Sequence, residues 1–141
     1  MKILRAAFLY WLLAFAVGFV LGALRVMLVE PMLATWLQGY ALLVAVAIEA
    51  PIMLTVSWFA AAWVLGRRPA WTPAETLGMG GLAWLLLQLA ELGLALAMGL
   101  STAAYLEKLT TLAGVLGVAL QLLFAFIPLL VLWRSKAFAA R

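Results

Sequence analysis

The chain reads as an all-α polytopic membrane protein, and three features of the sequence lead there. Of its 141 residues 70% are hydrophobic and only 10% charged, more apolar surface than a soluble domain of this size can bury. Four apolar runs each hold about 20 residues or more, enough at a rise of about 1.5 Å per residue to cross a bilayer. The polar breaks between them are short. The expected architecture is a single domain, residues 1–141, with four transmembrane helices in an antiparallel bundle and short interfacial helices.

The first span covers residues 4–29 and follows Met1-Lys2; its apolar run is too long for a signal peptide, so it reads as a retained helix. Tyr10, Ala14, Gly18, Gly22 and Arg25 recur on one face, and the small residues Ala14, Gly18 and Gly22 would let a second helix approach closely. Arg25 then faces protein, or else snorkels to the interface. Glu30-Pro31 is expected to end this helix. Residues 32–40, with Trp36, Gln38, Gly39 and Tyr40, read as an interfacial connector bending near Gly39.

The second span, residues 41–66, carries Glu49 and Pro51 and ends in the tight polar loop Arg67-Arg68-Pro69-Ala70-Trp71. Thr72-Pro73-Ala74-Glu75 has the spacing of a capping box with proline at the first helical position. It starts a third span, residues 73–100, through a glycine-rich entry at 78–81 that reads as flexible. Trp84, Gln88, Glu91, Ala95 and Gly99 share one face of that span, inward by inference. Residues 101–111 suit a short amphipathic helix on the membrane surface. The fourth span, residues 112–133, contains Gln121 and Pro128 and stops at Arg134-Ser135-Lys136, before a basic tail ending at Arg141.

Lys2, Arg5, Arg67, Arg68, Arg134, Lys136 and Arg141 fall on one side of the four spans, Arg25 and Lys108 on the other. The positive-inside rule makes the first side cytoplasmic, with both termini inside. Counting along the helices then places Arg25, Glu49, Gln88, Glu91 and Gln121 in the outer half of the membrane. Glu49 lies roughly 27 Å above the inner boundary, and Glu91 and Gln121 roughly 13 Å below the outer one. An unpaired intramembrane charge costs several kcal/mol, so Arg25 should meet Glu49 or Glu91, with Gln88 and Gln121 adding hydrogen bonds. Pro51 and Pro128 free the carbonyls of Ala47 and Phe124 and should kink their helices.

The chain has no cysteine or histidine, which points away from thiolate chemistry and the usual zinc and haem ligands. No catalytic residue, metal or cofactor is expected, bound lipids apart. The net charge of +4 comes from residues at segment ends and not from a basic stripe, so nucleic acid is not an expected partner. The polar cluster suits a non-catalytic accessory or assembly subunit that packs against other membrane proteins or against itself. It also suits a small proton- or cation-coupled transporter using Glu49 and Glu91. A third option is an enzyme acting on a lipid or isoprenoid, with Glu49 or Glu91 as acid or base near Ser101 and Tyr105.

The residues from Arg25 to Pro31, then Glu49-x-Pro51-x-Met53-Leu54 with Ser57, then Glu91-Leu92-Gly93-Leu94 and Ser101-x-x-x-Tyr105, resemble small uncharacterised four-helix bacterial inner-membrane proteins. The resemblance implies a bacterial inner membrane and a four-helix topology. It carries no activity with it.

Overall fold

The computed structural model describes residues 1–37, 39–67 and 70–139, with residues 138 and 139 described by their backbone alone. Gln38 of the connector, Arg68 and Pro69 of the tight loop, and Arg141 of the basic tail lie outside the described residues. The described residues form helices and no strand: α1 (Lys2–Ala34), α2 (Ala41–Gly66), α3 (Pro73–Ala97), α4 (Thr102–Thr110) and α5 (Leu112–Ala139). All but α4 are long and apolar enough to cross a membrane, which makes the chain a multi-pass membrane protein by length and composition.

Local chemistry accounts for most helix ends. At the start of α3 the Thr72 hydroxyl accepts from the Glu75 N–H at 3.2 Å, and the Glu75 carboxylate accepts from the Thr72 N–H at 3.0 Å, completing the capping box. The α3 terminus departs from the expected Leu100. Gly99 takes φ +86°, the Leu100 N–H bonds the Ala95 carbonyl and the Gly99 N–H that of Leu96, closing the helix at Ala97. Gly99 is therefore the stop and not part of the inward face. Between α1 and α2 the chain bends at Gly39, φ +78°, as expected.

The first helix does not end at Glu30-Pro31. It passes through a wide π turn, Arg25–Val29, and continues to Ala34. In that turn the Glu30 N–H reaches back five residues to the Arg25 carbonyl, which shifts the backbone register just where the Pro31 ring would meet the Met27 carbonyl. At the other end of the chain α5 runs on past Arg134 to Ala139, because Arg134 and Lys136 end an apolar run without disfavouring a helix.

In the bundle α1 lies beside α2 and α3, and α5 beside the same two, so α2 and α3 occupy opposite corners. Consecutive long helices run antiparallel, and the α1/α3 and α2/α5 sides are consequently parallel. The α2 helix ends and α3 begins at the basic end of the bundle. There Trp71, 6% exposed, donates its indole N–H to the Leu65 carbonyl at 3.1 Å. Lys2 sits 4.1 Å above the Trp71 ring and bonds both Glu75 oxygens at 3.0 Å.

The apolar core occupies the half nearer this basic end. It joins Ala6, Ala7, Tyr10 and Ala14 of α1, Ala61 and Val64 of α2, Met79 and Ala83 of α3, and Phe124, Ile127 and Val131 of α5. Small residues allow the backbones to approach. The run Gly78-Met79-Gly80-Gly81, expected to be flexible, is regular helix, and a Cβ on Gly80 would collide with the Ala125 carbonyl oxygen of α5.

Candidate functional site

The small face of α1 leads from the core to Arg25. Ala14 is buried, and a Cβ on Gly18 would come within 3.1 Å of the Met53 Cε of α2. Gly22 is followed by the guanidinium itself, whose Nη2 would lie 3.9 Å from a Cβ there. Arg25 therefore faces protein. Its Nη1 is 3.4 Å from the Glu49 Oε2, and its Nε is 3.5 Å from the Glu30 Oε1. The Arg25 and Glu49 side chains keep 27% and 18% of their surface, so the pair is largely withdrawn from solvent. Glu30 belongs to the site because the π turn carries it round beneath Arg25; read as the end of a helix, it had no such position.

The expected five-residue cluster resolves into two pairs. Glu91 is held by the Gln121 amide, whose Nε2 lies 2.8 Å from both carboxylate oxygens. Along their helices both pairs lie toward the end of the bundle away from Lys2 and Trp71. Gln88 sits one turn before Glu91 on the same face. Its carbonyl oxygen is buried without a hydrogen-bond partner among the described residues.

Over this region lies α4, started by the Ser101 hydroxyl, which accepts from the Ala104 N–H at 3.2 Å. Ser101 thus serves as a helix cap. The Tyr105 hydroxyl is buried and unpartnered among the described residues. Burial, and then the neighbouring Glu91 carboxylate, push its phenol above the ordinary tyrosine range. The corner from α4 to α5 is tight, since a Cβ on Gly114 would strike the Lys108 carbonyl oxygen.

The two prolines sit in different surroundings. Below Pro51 in α2, the hydroxyls of Thr55 and Ser57 return to the carbonyls of Pro51 and Met53, each at 2.7 Å. Pro128 leaves the Phe124 carbonyl without its usual donor, and the Tyr10 hydroxyl, reaching across the bundle from α1, supplies one at 2.8 Å. The Tyr10 and Phe124 rings stack with centroids 4.5 Å apart and planes 7° from parallel. Depth along the helices could have suggested this contact: Tyr10 lies roughly 12 Å above Lys2 and Phe124 roughly 15 Å above Arg134.

The site can therefore hold two carboxylates inside an apolar bundle, one against a guanidinium and one against an amide. It also leaves the Arg25 Nε, Glu49 Oε2 and Gln121 Oε1 without hydrogen bonds among the described residues. Among those residues no three His, Cys, Asp or Glu side chains come together to hold a metal ion. Compared with protein-family models, curated proteins and solved structures, the chain matches none of them.

Proposed function

We propose that this is a non-catalytic integral membrane protein that acts as an accessory or assembly subunit, packing against other membrane proteins. The observation that carries this reading is that both intramembrane carboxylates end on partners within the chain, Arg25 and Gln121, above a close-packed apolar core. Polar pairs of this kind fix the register of membrane helices without doing chemistry. In this reading the basic end faces the cytoplasm of a bacterial cell, in agreement with the positive-inside rule. Extraction of the full chain with its surrounding bilayer, followed by affinity purification and mass spectrometry, should recover a membrane protein in stoichiometric amount. Recovery of the chain alone, as monomer or homodimer, would contradict the subunit role.

The buried oxygens of Glu49, Gln88 and Gln121 that lack a hydrogen bond among the described residues support a second reading, a small proton- or cation-coupled transporter. It predicts pH-gradient-dependent flux in liposomes that disappears with Glu49→Gln or Glu91→Gln. Flux no higher than in empty liposomes would dispose of it.

A further inference from the structure

Near the basic end a groove of about 550 Å³ runs between α1 and α3, lined by Leu4, Arg5, Phe8 and Leu9 of the first helix and Leu86 of the third. Four of these five residues are apolar, and the fifth is an arginine at the rim. A Cβ on Gly78 of α3 would lie 3.6 Å from the Ile3 side chain of α1, and with the two helices parallel this puts Leu86 level with about residue 11 of α1. The groove therefore rises about six residues from Arg5, roughly 9 Å along the helices.

Arg5 differs from the other basic side chains beside it. Lys2 is neutralised by Glu75, and the Arg67 guanidinium lies 3.5 Å over the Trp63 ring. Arg5 is exposed and has no acidic partner among the described residues. A guanidinium stays charged at any physiological pH and matches the geometry of a phosphate. At this end of a membrane helix it stands at headgroup depth, with an apolar channel leading from it toward the bilayer interior.

We propose that this groove is a binding site for an anionic phospholipid of the leaflet at the basic end, its phosphate on Arg5 and one acyl chain along Leu4, Phe8, Leu9 and Leu86. Charge complementarity selects the headgroup, and the wholly apolar walls select a hydrocarbon chain over a polar peptide. The site rests on the placement of the helices in a bilayer and is independent of the packing role proposed above.

The test titrates the delipidated full chain in detergent with phosphatidylglycerol or phosphatidylcholine and counts retained lipids by native mass spectrometry. The first binding step should favour phosphatidylglycerol about fivefold, the effect expected of one basic side chain near an anionic headgroup. Arg5→Gln should bring that ratio close to one, and Lys136→Gln, a basic-end residue outside the groove, should leave it unchanged. Leu86→Trp, or the more exposed Leu4→Trp, should lower first-step retention of both lipids. Equal retention of the two lipids by the unaltered chain, a preference that survives Arg5→Gln, or an equal loss with Lys136→Gln would overturn the site. Unchanged retention in both tryptophan variants would overturn the groove as the place of binding.

Discussion

Replacing Tyr10 with phenylalanine removes one oxygen from the centre of the bundle and leaves the stacked ring in place. That oxygen donates at 2.8 Å to the Phe124 carbonyl, an acceptor that Pro128 has deprived of its helical donor. Both sit among apolar side chains, with Tyr10 0% and Phe124 6% exposed, so the carbonyl has no water to turn to. Leaving a buried acceptor unsatisfied costs about 1–3 kcal/mol, whereas hydrogen bonds between membrane helices average about 0.6 and reach about 1.7 kcal/mol. A carbonyl that has lost its own helix's donor belongs at the upper end of the membrane range, so Tyr10→Phe should destabilise the bundle by about 1.5 kcal/mol. Pro128→Ala restores an N–H to the same carbonyl, and in that background the Tyr10→Phe penalty should shrink to about 0.5 kcal/mol. Reversible unfolding of the four chains in mixed micelles, followed by tryptophan fluorescence, measures the cycle. Equal penalties in the two backgrounds would refute the role given to Pro128.

Two further comparisons probe the other contacts. Gly80→Ala places a methyl group against the Ala125 carbonyl and should cost about 3 kcal/mol or prevent folding, whereas Gly81→Ala, with open space at its Cβ, should be neutral or stabilising by up to about 1 kcal/mol; thermal unfolding of both in detergent separates them. Gln121→Leu removes the donor that holds both Glu91 oxygens and should cost about 1–3 kcal/mol, with Glu91→Gln in the same chain recovering part of the loss; no recovery would mean that Glu91 is held by something else.

The sequence showed the fold class and most boundaries because apolar run length, capping chemistry and glycine are local properties. Ala41–Gly66 and the Thr72–Glu75 box fall where they were expected for that reason. It misled at Glu30-Pro31, where the usual link between proline and a helix end ignores a π turn that absorbs the ring. That one register change also joined Glu30 to Arg25, a contact that straight α-helical counting does not give. Depth counting brought Arg25, Glu49, Glu91 and Gln121 to one region but could not assign partners, since pairing depends on which helices are neighbours. The α2–α3 diagonal decides that Glu91 of α3 meets Gln121 of α5. Gly80 looked like a loose hinge from composition and is instead the closest approach of two backbones.

The central claim is that the intramembrane carboxylates are held by partners on neighbouring helices, and the Arg25–Glu49 double-mutant cycle tests it most directly. Unfolding of the unaltered chain, Arg25→Ala, Glu49→Gln and the double variant should show that Arg25→Ala, which strands a carboxylate, costs more than the double substitution, with a coupling of about 1–2 kcal/mol. Additive effects of the two substitutions would mean that Arg25 and Glu49 do not stabilise one another, and would contradict the account.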